Sequence, residues 1–177
     1  MRESLIMLLA VAGATAAMAQ NGPVNPATEA PGPRADNPAA ATQQLPFLAQ
    51  AAQADMAEVN TGSLAERKGQ KASVKAYGKM MVSAHAAHRA KVLKLADAKG
   101  VTVPTPVNAE QQAVFKDLAQ QQGDAFDTAY KQHMVAAHRQ AIALYQANAN
   151  SSDAQIAALV KETMPVLKKH LAEAQAL

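Results

Sequence analysis

The residues of this chain that could do chemistry are few, and two of them stand in a repeated phrase. Met81-Val82-Ser83-Ala84-His85 and Met134-Val135-Ala136-Ala137-His138 share Met-x-x-x-His, and Tyr77 and Tyr130 each stand four residues upstream of the methionine. Such a recurrence fits an ancient duplication or two helices meeting one constraint. Glu58, His170, His88 and Asp127 complete the candidate set. Imidazole binds zinc, copper, nickel or iron, and an inward carboxylate either joins it as a ligand or accepts its hydrogen bonds. The paired methionines, Met81 and Met134, hint at copper, although a methionine on a buried stripe is ordinary core filling. A di-iron centre of the bundle type needs two Glu-x-x-His pairs. Here the residues three before His85, His138 and His170 are Val82, Val135 and Leu167, so di-iron oxidase chemistry is not expected. Without cysteine there are no disulfides, thiolate sites, cysteine nucleophiles or cysteine-linked lipids.

Helices must position these residues. From residue 45 onward the chain is rich in Ala, Leu, Gln, Lys and Met and poor in β-branched runs, which favours helix. The periodicity predicts helix A over about 46–68, helix B over about 71–99 with a stop at Gly100, and a short helix over about 109–121. Helix C follows over about 124–149, and helix D runs to about 176, capped by Ser151 or Ser152, with Pro165 inside and a kink before His170. Wheels at about 100° per residue put Glu58 on the apolar face of A, and His85 and His88 on that of B. The same wheels put Asp127 and His138 on the apolar face of C and His170 on that of D, while His133 falls at an edge and is expected to face solvent. At about 1.5 Å per residue, His85 lies about 21 Å from the end of B and His138 about 21 Å from the start of C, so the two share a level in either bundle connectivity. If the B-to-C connection crosses the bundle, His170 is expected nearer the bundle end, with Asp127.

The first twenty residues read as an export signal: Arg2, an apolar run from Leu5 to about Ala12, and Ala17-Met18-Ala19 as a cleavage site, with cut expected after Ala19. That run is too short to span a bilayer, and no later stretch reaches the roughly 18–20 apolar residues required. Residues 20–44 are rich in Pro, Gly, Asn and Ala and read as a disordered tether. Residues 45–177 make one domain. The chain carries 17 basic and 14 acidic residues; losing Arg2 and Glu3 leaves 16 against 13, a net +3. So small an excess, without interleaved aromatics, argues against nucleic acid and leaves room only for a weak association with the anionic cell envelope.

Four phrases carry a resemblance: AAQADMAEVNTGSLAERKG with Glu58, YGKMMVSAHAAH with His85, GDAFDTAYKQHMVAAH with Phe126, Asp127, Tyr130 and His138, and MPVLKKHLAEA with Pro165 and His170. Over residues 45–177 the chain resembles the bacterial exported domain-of-unknown-function family 4142, labelled predicted outer membrane proteins and grouped with ferritin-like four-helix bundles. The resemblance implies an all-α, ferritin-like four-helix bundle with a short extra helix in the B-to-C connection, and export to the envelope. The chain departs from the family pattern at Ala84, where an acidic residue commonly precedes the helix B histidine. The outer-membrane label fits poorly with Ala-rich helices, which cannot form a β-barrel.

The expected function is a non-enzymatic periplasmic bundle with a structural or stress-related binding role, its interior Glu58 and histidines forming a hydrogen-bonded network that fixes helix register. The alternative is a copper- or zinc-binding protein with Glu58, His85, His138 and His170 as ligands and His88 or Asp127 as weaker candidates. No nucleophile motif or phosphate loop points to an enzyme. Partner identity and homo-oligomerisation stay open.

Overall fold

A computed structural model describes residues 46–177. The expected export signal, the tether and Leu45 lie outside the described residues. Those described form five helices and no strand: α1 (Phe47–Lys68), α2 (Ala72–Ala98), α3 (Ala109–Gln120), α4 (Gly123–Ala147) and α5 (Ala154–Ala176). Each predicted helix is present to within a few residues. α2 stops where Gly100 adopts a left-handed φ of 65°, a conformation that glycine takes without a Cβ penalty. α5 starts later than expected. Its cap is Asp153, whose carboxylate accepts from the N–H groups of Gln155 and Ile156, and Ser151 serves that turn by accepting from Asp153 N–H. α3 begins with a capping box in which Asn108 and Gln111 satisfy each other's backbone N–H groups.

The four long helices bury two apolar layers. One gathers Leu48 and Ala52 of α1, Val92 and Ala96 of α2, Ala141 and Tyr145 of α4, and Leu159 and Val160 of α5. The other gathers Leu64 of α1, Val74, Tyr77 and Met81 of α2, Phe126, Tyr130 and Met134 of α4, and Ala174 of α5. Reading the order of these residues gives the directions: α1 and α5 run one way, α2 and α4 the other. The Lys99–Asp153 ion pair ties the end of α2 to the start of α5, as that arrangement requires. The α2–α4 connection therefore travels the length of the bundle, and α3 lies on it, packed on α1 and α4 with Leu118 in the second layer. The connectivity left open by the sequence is the crossover form.

α1 and α2 touch backbone to backbone. A Cβ added to Gly62 would fall 2.8 Å from the Gly78 carbonyl oxygen, and one added to Gly78 would fall 2.7 Å from that of Gly62. Only glycine at both positions permits this approach. The contact lies one helical turn from Glu58 and two from His85, so it sets the separation at which those side chains meet. Between the two apolar layers, at mid-height, lie the polar residues.

Candidate metal centre

Among the described residues nine polar or charged side chains are buried, and all but Asp127 come from the middle stretches of the four long helices; Asp55, Glu58, His85, His138, Thr163 and His170 are the ones that build the site. α1 supplies two carboxylates one turn apart, Asp55 and Glu58, which are 3 % exposed each. They face two imidazoles one turn apart on α2. His85 Nδ1 lies 2.8 Å from Asp55 Oδ1 and 2.9 Å from Glu58 Oε2. His88 Nδ1 donates to the same Asp55 carboxylate at 2.8 Å, and its Nε2 meets the hydroxyls of Thr163 at 3.1 Å and Tyr145 at 3.2 Å. On α4, His138 Nδ1–H donates to the Met134 carbonyl at 3.0 Å and stands 3.4 Å from Glu58 Oε1. His170 arrives from α5, and Tyr77 donates to its backbone carbonyl at 3.0 Å.

The rings of His85, His138 and His170 form a triangle, with centroids 5.6, 5.4 and 5.4 Å apart. Each has a buried nitrogen without a hydrogen-bond partner among the described residues: His85 Nε2, His138 Nε2 and His170 Nδ1. Each of the three histidines offers a ligand atom within 4.8 Å of the other two. An ion with bonds of about 2.0–2.1 Å in tetrahedral geometry needs donors about 3.4 Å apart, so modest side-chain movement closes the group on a metal. Asp55, Glu58 and His85 form a second group that could hold an ion. There, however, the His85 nitrogen that faces the carboxylates is already engaged by both, whereas each ring of the three-histidine group keeps one nitrogen with no other partner.

Electrostatics point the same way. Burial opposes a charge on His85, but the Glu58 charge and the bonds to Asp55 and Glu58 outweigh it and lift its pKa to about 10. Burial raises Glu58, and the His85 charge and hydrogen bond together with His138 more than reverse this, holding it at about 2. Burial lowers His138, and His85 adds to the effect. His170 is pushed down to about 4, first by burial and then by His85 and His138. The interior thus stabilises a single positive charge beside its two carboxylates and keeps the other two imidazoles neutral, the form that binds metal.

Glu58, His85, His138 and His170 therefore come together as the sequence suggests, but Glu58 holds the outer nitrogens and His85, His138 and His170 converge. The expected displacement of His170 does not occur, although the connection does cross the bundle. Side chains lean toward the N-terminus of their own helix. α4 and α5 run oppositely, so His138 and His170 lean toward one another and close the gap that Cα counting leaves. His88 joins through Asp55, outside the triangle. Asp127 is a correction: it lies at the end of the bundle, where its two carboxylate oxygens accept from the N–H groups of Gln70 and Lys71, each at 2.8 Å. It caps α2, which has no side-chain cap of its own.

Asp55 and His133 are the residues that sequence reasoning missed. Asp55 has a legible signature, since Asp55-x-x-Glu58 on one helix matches His85-x-x-His88 on its antiparallel neighbour. His133 is half-buried, not solvent-facing; it lines a cavity under the α2–α4 connection with Glu58, Asn108 and Gln111, and burial lowers its pKa.

No curated protein and no solved structure matches the chain. Among the described residues, no helix is long and apolar enough to cross a membrane. The family model described as a domain of unknown function, DUF4142, matches residues 29–177, beginning upstream of the first helix and covering all five. The chain belongs to the DUF4142 family.

Proposed function

We propose that this is an exported, ferritin-like four-helix-bundle protein that binds one divalent transition-metal ion through His85, His138 and His170, with zinc the best-fitting ion and copper(II) its competitor. One observation supports this over a purely structural network: three histidines that offer ligand atoms within 4.8 Å of one another each keep a buried ring nitrogen with no hydrogen-bond partner among the described residues. A network retained to fix register would satisfy its members, since each buried polar atom left unsatisfied costs about 1–3 kcal/mol. An ion satisfies all three at once. The outer nitrogens support the same reading, because His85 Nδ1 on carboxylates and His138 Nδ1 on a carbonyl leave Nε2 as the donor atom in each ring. A thioether ligand would favour copper(I); Met134 Sδ accepts from the Thr61 hydroxyl at 4.0 Å instead, and a set of imidazoles alone suits tetrahedral zinc.

The export signal at residues 1–19 and the tether at 20–44 support a periplasmic location. Elemental analysis of protein recovered from the periplasm tests the reading. The expected result is about one metal per chain with Gln20 as the mature N-terminus, and loss of the metal in His138→Ala and His170→Ala. Metal-free protein that still takes up no zinc or copper in vitro would overturn it.

A further inference from the structure

Three histidines leave one position of a tetrahedral ion unfilled, and the seam between α2 and α5 opens beside them. A groove of about 170 Å³ runs along that seam, with Ala84, Ala87 and Lys91 on one wall and Thr163 and Val166 on the other. His85 and His170 also line it. His138 does not, and with no exposed surface it stands behind them. The opening exists because α2 presents two alanines at the turn that faces the histidines. On the other wall, Val166 is 44 % exposed.

We propose that the fourth coordination position of the metal faces this groove and takes a small exogenous ligand: a water molecule, replaceable by a small monovalent anion. The inference rests on the metal reading above. Sites that serve only structure are closed by four protein ligands, whereas three protein ligands leave a position for water or substrate. The nearest carboxylates are held on the far side of the rings: Asp55 and Glu58 Oε2 are engaged at the outer nitrogens of His85 and His88, and Glu58 Oε1 faces His138 Nδ1 at 3.4 Å. At about 30 Å³ per water the groove holds roughly six, which suits a ligand of a few atoms and excludes a bulky one. At the rim Lys91 is paired with Glu162, which lines the groove beside it, so the charge that an entering ligand meets is that of the ion at the floor. That arrangement selects anions over cations.

Cobalt(II), a spectroscopic stand-in for zinc, makes this testable. Protein loaded with one equivalent of Co²⁺ is titrated with azide while its visible absorption is followed, in the natural chain and in Ala87→Phe, with Ala84→Leu as a second plug should the first fold poorly. In the natural chain the Co²⁺ bands are expected to shift saturably with one azide per metal. The plugged variants are expected to keep the Co²⁺ bands and lose azide affinity by roughly tenfold or more, equivalent to about 1.4 kcal/mol. A natural chain that binds Co²⁺ through the three histidines yet ignores azide would overturn the open position and leave the metal reading standing. Unchanged azide affinity in both plugged variants would overturn the groove as the route. Failure of the natural chain to bind Co²⁺ would overturn the metal reading, and this inference with it.

Discussion

Asp55 shows how much of the site depends on one carboxylate. It bridges His85 and His88, and together with Glu58 it fixes which His85 nitrogen points inward. The charges it helps set make a testable pattern in the metal-free protein. His85 is raised in the folded state, so its stabilisation is fully present below about pH 6.5 and is lost as pH rises through about 10. His170 and His138 are lowered, so the folded state resists the protons that the unfolded chain accepts, and stability falls as pH drops from about 6.5 toward 4. Glu58 adds a further loss as pH falls from about 4.5 toward 2. Denaturation midpoints of metal-free protein should therefore peak near pH 6.5 and decline on both sides, and His170→Phe should flatten the acid limb. A monotonic rise in stability from pH 4 to 9 would contradict these assignments. Asp55 is easily passed over because it falls at the border of the apolar stripe that Glu58 centres, and only its match in spacing to His85 and His88 marks it. α1 packs against α2, α3 and α4, so its buried arc is wider than one face and includes Gln53, Asp55 and Thr61.

At the scale of the helices, spacing and punctuation made all five elements legible, because apolar residues recur at helical period and Gly100, Pro104 and Pro106 mark the break. Partners across helices were not. Asp127 reads as a weaker ligand candidate on the apolar face of its helix, yet it serves the start of α2, a pairing visible only once α4 is laid beside the α1–α2 turn. Asp127→Ala is accordingly expected to cost about 1–2 kcal/mol of stability, the typical loss of a cap and its charge at a helix N-terminus. Metal stoichiometry should not change, measured on the same sample by elemental analysis. Loss of metal without loss of stability would return Asp127 to the site. The Gly62–Gly78 contact belongs to the same scale: two glycines in a helical sequence look like weak points, and their use appears only in the close approach of two backbones.

Over the whole molecule, apolar layers on either side of a polar waist give each half of the bundle its own core and leave the centre to histidines and carboxylates. The crossing connection places α4 parallel to α2, so the two Met-x-x-x-His phrases bring their histidines in at one level, and α5 adds the third. The recurrence was readable in the sequence; the convergence on unpartnered nitrogens was not, because it depends on which ring atom each neighbour engages. X-ray absorption at the zinc edge, on protein loaded with one equivalent, tests that convergence most directly. The account predicts three imidazole nitrogens at about 2.0–2.1 Å plus one further light ligand, with imidazole scattering diminished in His138→Ala. A shell of carboxylate and water oxygens, or a spectrum unchanged by that substitution, would contradict it.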